Sequence, residues 1–261
     1  MTHETGVAIV TGSGQGIGQG IALRLAEDGL DIALFDLPSN KEKLDRVAEE
    51  ISKKGRKVIC LFGDVSNEED VSNLVEKTVN ELGSLDVMVA NAGIVFHSLV
   101  TETNVSDWDT LFSVNVRGTM LCYKHAGIQM ITQGKGGRII GAASVASKIG
   151  QPYASAYVAS KFAIRGLTQS AAMELGKYGI TVNAYAPGPI DTEFLGKFDE
   201  FHTSLSGQSK GSFLEGLKTK NCTKSIGEPK DVANLVSFLA SKSSEFITGQ
   251  SIVVDGGAVF D

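Results

Sequence analysis

The chain has 261 residues, 42% of them hydrophobic and 21% charged, with only 5 prolines, which are the proportions of a packed globular protein and exclude disorder or a collagen-like fibre. Its 24 basic and 30 acidic residues leave a net charge of −6, which argues against a nucleic-acid surface built on lysine and arginine. Glycine is in excess, with 30 residues where the usual share would give about one in fourteen.

Val7-Ala8-Ile9-Val10 is a short apolar run that predicts a strand, and after a glycine cluster Ile17 to Asp28 repeats its apolar residues at helical spacing. Gly29 ends that helix, and Asp31 to Phe35 predicts a second strand closing at Asp36. The alternation repeats: helix Ser39 to Lys54, strand Lys57 to Phe62, helix Glu68 to Leu82, strand Asp86 to Ala90. It continues with helices over Asp107 to Thr132, strand Arg138 to Ala143, helix Tyr153 to Lys177 and strand Ile180 to Ala186. Ile190 to Gly227 breaks the rhythm, with glycines and serines around Phe194, Leu195, Phe198 and Phe201, and is expected to be a long excursion serving as a substrate lid. Glu228-Pro229 opens a last helix to Ala240, and Ser251 to Val254 predicts a last strand. Seven strands in one rhythm, with no linker, predict a single α/β domain over residues 1–261: a doubly wound (Rossmann) parallel sheet with helices on both faces.

Thr11-Gly12-Ser13-Gly14-Gln15-Gly16-Ile17-Gly18 lies between the first strand and first helix, where backbone amides and the helix dipole can receive a pyrophosphate. Gly12, Gly16 and Gly18 would allow a tight turn, close phosphate approach and close helix packing. Asp36, at the end of the second strand, can accept hydrogen bonds from ribose hydroxyls and would repel the extra phosphate of NADP. Leu37-Pro38 and Gln15 supply no cation, so the expected cofactor is NAD.

Tyr157 and Lys161 are four apart in a predicted helix and share one face. A neighbouring ammonium should favour the phenolate and bring this tyrosine into range as an acid/base. Ser144 falls just past the carboxyl end of its strand, the edge on which open sheets bind ligands, where a hydroxyl can orient a substrate carbonyl.

Thr11-Gly12-x-x-x-Gly16-x-Gly18, Asp64-Val65, Asn91-Ala92-Gly93, Asn115, Ser144, Tyr157-x-x-x-Lys161 and Pro187-Gly188 occur in an order and spacing that resembles the short-chain dehydrogenase/reductase family over essentially the whole chain. The resemblance implies a catalytic set of Asn115, Ser144, Tyr157 and Lys161, with Asn115 holding a relay water that reaches Lys161 and Lys161 also binding the nicotinamide ribose. It implies that Asp64 and Val65 meet the adenine, that Asn91, Ala92 and Gly93 support the cofactor, and that the stretch from Pro187 and Gly188 holds the carboxamide through Ile190 and Thr192. Ala90 and Ala143 depart from commoner asparagine and serine, without touching an implied role.

Gly14 to Gly18, Lys161 to Gln169, Gly179 to Asn183, Thr248 to Ser251 and Asp255 to Phe260 resemble NAD-dependent acetoin (diacetyl) reductases and butanediol dehydrogenases. That resemblance implies an acetoin, diacetyl or 2,3-butanediol-like substrate and a homotetramer. Ala146, Gln151 and Tyr153 beside Ser144, with Phe194 from the excursion, are the expected substrate pocket. Phe198, Phe201 and His202 would suit a bulkier aromatic ketone equally. A sugar-alcohol or oxoacyl substrate of the same family, or a noncatalytic NAD-binding protein, are the rival readings.

His97, after Asn91-Ala92-Gly93, could face the cleft, though a lone loop histidine is more often solvated, while His3 and His125 show no partners and Trp108 reads as helix packing. Cys60, Cys122 and Cys222 are odd in number and far apart, so neither a disulfide framework nor a metal site is expected, and a reducing cytoplasmic compartment fits them. No apolar run reaches the roughly 18 residues of a membrane span, and Met1 to Gly6 lacks a basic stretch followed by an apolar one, so neither membrane association nor a leader is expected.

Overall fold

A computed structural model describes residues 6–260; His3 and all but the last residue of the leader reading lie outside it. Seven strands form one parallel sheet: β1 (Val7–Thr11), β2 (Asp31–Asp36), β3 (Val58–Phe62), β4 (Val87–Ala90), β5 (Gly137–Ala142), β6 (Ile180–Pro187) and β7 (Ser251–Val254). Their order is β3-β2-β1-β4-β5-β6-β7, so the winding reverses between β1 and β4. In such sheets the crevice at the carboxyl ends of the reversing strands is where ligands bind.

Alternation along each strand divides the core into two layers. Ala8 and Val10 of β1 face α1 (Gly16–Glu27), α2 (Lys41–Lys53) and α9 (Pro229–Ala240), packing with Ile21, Leu44 and Val232. Ile9 faces the opposite side, where Leu74 of α3 (Glu68–Leu82), Leu121 of α5 (Gly118–Gln133) and Ala171 of α6 (Ser155–Leu175) cover the sheet. Both faces of the central strands are buried, which is why they read as continuous apolar runs and not as alternating ones. Local signals set the helix ends: Asn67 accepts from the Glu69 amide at 2.9 Å to start α3, and Gly83 at φ 99° closes it. Glu228 and Asp231 form a reciprocal cap at α9, behind Pro229.

Three predicted elements differ. The helical stretch read over 107–132 is α4 (Val105–Phe112), a π-helical turn at Ser113–Arg117 and α5, and the turn carries the fully buried Asn115. The helix read from Tyr153 starts at Ser155, because Tyr153 holds a left-handed φ of 62°, a conformation rare for a bulky side chain. The excursion after Ile190 is largely helical: α7 (Glu193–Ser206) and α8 (Ser212–Lys220). Phe194, Phe198, Phe201 and His202 recur at helical spacing on α7, a periodicity masked by the glycines and serines around them. Gly207 and Gly211, at φ 68° and 91°, cap these two helices.

Candidate active site

The ends of β1 and β4 are joined by side chains. Thr11, buried at the end of β1, accepts at Oγ1 from the amides of Asn91 at 3.0 Å and Ala92 at 3.1 Å. The Asn91 amide group reaches back to donate to the carbonyls of Thr11 at 2.8 Å and Gly12 at 3.1 Å. Tyr185 of β6 donates to Asn91 Oδ1 at 2.8 Å. Above this junction Gly12 and Gly16 hold φ of 63° and 59°, which glycine adopts without strain. A Cβ on Gly18 would overlap the Gly12 carbonyl and the Asn91 amide, and one on Gly12 would lie 3.0 Å from the Ala92 backbone. The loop therefore approaches its neighbours as closely as backbone allows and leaves its own amide edge at the start of α1, the shape that fits a pyrophosphate. Ile17 turns away from that edge and packs against the core.

Asp36 is buried beside the loop. Its carboxylate accepts from the Gly14 amide at 2.9 Å, the Leu37 amide at 2.8 Å and Asn40 Nδ2 at 2.7 Å. Next to it stands a cation absent from the sequence reading: Lys43 of α2 bonds the Gln15 side chain and lies 3.7 Å from Glu193 at the start of α7. Only the folding of α2 back over the loop brings Lys43 there. Asp64 caps a turn by accepting from the Ser66 amide at 2.8 Å, and the buried Val65 packs against Gly118. Across the crevice, Thr192 presents its methyl group to Gly16, while Gly188 packs on Asp255 and Ile190 is buried in the core.

The four expected catalytic residues lie at the same carboxyl edge. Ser144 follows β5, accepts from the Ala146 amide at 3.1 Å and directs its hydroxyl to the Pro187 carbonyl at 3.5 Å, near enough to the Tyr157 phenol to favour its ionised form. Lys161 is buried; its Nζ lies 5.3 Å from the Tyr157 ring centroid and donates to the Ala142 carbonyl at 2.7 Å. Asn115 accepts from the Ile94 amide at 2.8 Å and donates to Ser160 Oγ at 3.2 Å, while Ser160 holds the Tyr157 carbonyl at 2.7 Å. Gly93 sits between Asn115 and Lys161, with room for no larger residue without crowding Asn115 Oδ1.

The titration of this pair differs from the expectation that lysine lowers the tyrosine. Burial pushes the Tyr157 phenol up to about 12, opposed only by the neighbouring Ser144 hydroxyl. Burial likewise pushes Lys161 down to about 7, so its cation is weakened where sequence spacing predicted a strong one.

The expected pocket residues divide. Gln151 is half-buried and Ala146 fully buried, so Ala146 serves the site through its amide. Phe194 of α7 lies over the phenol, its ring centroid 6.0 Å from that of Tyr157. Farther along α7, Phe201 meets Tyr153 at 5.7 Å, and His202 stacks on Phe213 of α8 at 4.0 Å. Asp199 ties the two helices by accepting from the Gly211 amide at 2.7 Å. The loop after β4 is pinned to the head of α6, the Ser98 amide donating to the Tyr153 carbonyl at 2.9 Å.

His97 on that loop is half-buried, with both ring nitrogens shielded from solvent. It packs edge-on to Phe198 at 4.3 Å and stacks on Phe201 at 4.8 Å, and neither ring nitrogen makes a hydrogen bond. Burial, with His202 nearby, pushes its pKa down; the Tyr153 carbonyl pulls the other way, from a geometry too poor for a hydrogen bond. His125, expected to be without a partner, lies 3.3 Å from Glu68. Among the described residues no cluster of metal-ligating side chains occurs, and no helix is long and apolar enough to cross a membrane.

Known proteins resemble this chain over nearly its whole length. The family described as enoyl-(acyl carrier protein) reductase matches residues 12–259. A short-chain dehydrogenase/reductase of Armillaria gallica is 55% identical over 98% of this chain and 96% of its own. A diacetyl reductase, (S)-acetoin forming, of Staphylococcus epidermidis is 42% identical over 97% of this chain and 98% of its own. The crystal structure of an NAD+-bound xylitol dehydrogenase superposes with a TM-score of 0.92 at 33% identity, covering 97% of this chain and 98% of that one. The chain belongs to the short-chain dehydrogenase/reductase family of oxidoreductases.

Replacing Thr11→Val removes the acceptor of two backbone amides and should cost about 2 to 4 kcal/mol in chemical denaturation, with Thr11→Ser recovering most of it. Lys161 is depressed from 10.5 to about 7, so between those values the unfolded chain binds one proton more than the folded one and stability rises with pH. Denaturation of Lys161→Met between pH 7 and 10 should show that rise diminished; an unchanged slope would contradict the burial effect.

Proposed function

We propose that this protein is an NAD(H)-dependent oxidoreductase that interconverts a secondary alcohol and a ketone, with Tyr157 as acid and base. The observation that carries this reading is the buried Lys161 Nζ 5.3 Å from the Tyr157 ring, with the buried Ser144 hydroxyl beside it, at the carboxyl edge that also holds the glycine loop. Bound NAD(H) supplies or takes up the hydride.

In the reductive direction Ser144 holds the ketone oxygen and Tyr157, protonated at neutral pH, gives its Oη proton to that oxygen. In oxidation Tyr157 must first lose the proton. The neighbouring Ser144 hydroxyl favours the phenolate, and Lys161, titrating near neutrality, can carry the proton at Nζ. Asn115 completes the relay and braces the loop after β4 against α6. Gly12, Gln15, Gly16, Ile17 and Gly18 would cradle the pyrophosphate, with Asp64, Val65, Asn91, Ala92 and Gly93 along the floor. Pro187, Gly188, Ile190 and Thr192 would close the nicotinamide end. Asp36 and Leu37 would meet the adenosine ribose, and a buried carboxylate there favours NAD over NADP because it repels a phosphate. The bound ligand of the xylitol dehydrogenase supports the same choice. Lys43 does not reverse it, being engaged by Gln15 and Glu193.

The name of the staphylococcal relative supports acetoin, diacetyl or 2,3-butanediol as substrates, with α7 and α8 as the lid. The aromatic face of α7 over Tyr157 favours a second reading, a bulkier ring-bearing substrate. The presence of Ser144, Tyr157 and Lys161 together counts against a noncatalytic NAD-binding role. A cytoplasmic homotetramer is the proposed form, supported by Met173, Phe246 and Phe260, whose exposure suits subunit contacts.

Tyr157→Phe should lower kcat by roughly 10²- to 10⁴-fold while NADH binding, followed by stopped-flow fluorescence, stays intact. Retained turnover would remove the acid/base assignment. Asp36→Ala should shift the ratio of kcat/KM for NAD against NADP by about tenfold toward NADP; equal use of both cofactors by the unmodified protein would count against the role of Asp36.

A further inference from the structure

The roof of the site has a polar group that packing does not explain. Phe194 lies over Tyr157, whereas His97 stands against Phe198 and Phe201, one to two turns farther along α7. At about 1.5 Å per residue these turns place the imidazole roughly 6 to 10 Å along the helix from the phenol. Every ring around it is aromatic, so phenylalanine would fill the position without desolvating two nitrogens. Leaving a buried polar group unpaired costs about 1 to 3 kcal/mol, so the imidazole calls for a hydrogen-bond partner from the cavity beside it. Burial keeps the ring neutral, which leaves it one donor and one acceptor.

Room exists beside it. His97, Ser98 and Phe96 line a cavity of about 170 Å³ with Trp108 of α4, Ser155 of α6 and the acidic Glu102 and Asp107. The Ser155 hydroxyl is likewise buried without a partner. A substituent that displaces several waters fits such a space.

We propose that the natural substrate is a ring-bearing secondary alcohol or ketone with a second hydroxyl or carbonyl roughly 6 to 10 Å from its reacting carbon, and that His97 hydrogen-bonds this second oxygen. The inference rests on the dehydrogenase reading above and specifies its substrate class. A vicinal diol or acyloin carries its second oxygen on the neighbouring carbon and cannot reach His97 while its carbonyl stands at Tyr157. The ring lies against Phe194 and Phe198, where offset or edge-on contacts with aromatic faces add to simple burial.

Three ketones separate the outcomes: diacetyl, 4-phenylbutan-2-one and 4-(4-hydroxyphenyl)butan-2-one. With NADH, kcat/KM should rise in that order. His97→Leu should lower the ratio between the hydroxylated and unsubstituted ring ketones about three- to tenfold, the value of one neutral hydrogen bond, acting on KM, and His97→Gln should restore part of it. Dissociation constants of each ketone from the Tyr157→Phe protein saturated with NADH give the same comparison without turnover. Preference for diacetyl, or a ratio unmoved by His97→Leu in both measurements, overturns the inference and leaves the dehydrogenase reading standing. Undiminished turnover by Tyr157→Phe overturns that reading instead.

Discussion

Asn91 and Thr11 hold the crevice on which the rest of the site depends. Where a parallel sheet reverses its winding, the chains leaving β1 and β4 part, and the parting strips backbone groups of their ladder partners. A crevice with unpaired groups at its floor would be unstable; a closed one would bind nothing. Here the Asn91 amide takes the carbonyls of Thr11 and Gly12, the Thr11 hydroxyl takes the amides of Asn91 and Ala92, and Tyr185 secures the far side of Asn91. The strands are joined through side chains and the cleft between them stays open. Gly18 must be glycine for the same reason, since a methyl group there would strike both the carbonyl and the amide that make the joint.

Burial then does two opposed things to the chemistry. It strengthens the electrostatic interactions among Ser144, Tyr157 and Lys161 by excluding water, and it penalises their charged forms. The phenol rises to about 12 and the amine falls to about 7. A site arranged in this way keeps the tyrosine proton in place and holds a lysine that exchanges its proton near neutrality. The π-helical turn at Ser113–Arg117 serves the same cluster by turning the buried Asn115 toward Ile94 and Ser160.

Much of this was legible in the residues. The seven strands, Gly83 and Pro229 as punctuation, the loop from Gly12 to Gly18 and the Tyr157–Lys161 pair depend on spacing along one element, and spacing is what periodicity reports. What escaped lay in contacts between elements. Lys43 has no meaning in α2 until that helix packs over Gln15. Tyr185 looks like one more apolar strand residue, and His97 looks like a loop residue in water, until β6 and α7 are placed beside them. The aromatic face of α7 was present in the spacing of Phe194, Phe198 and Phe201, but Gly196 and the serines around it obscured the helix.

Local order in the chain therefore determined the elements, the parallel doubly wound sheet and the candidate reacting groups, because each follows from side-chain period, turn chemistry or a motif within a few residues. Tertiary structure decided how those groups behave. The direction in which Tyr157 and Lys161 titrate, the partners of Asn91 some 80 positions away at Thr11, and the unpaired imidazole in the roof are consequences of burial. Burial is a property of everything packed around a residue, and no window of sequence contains it.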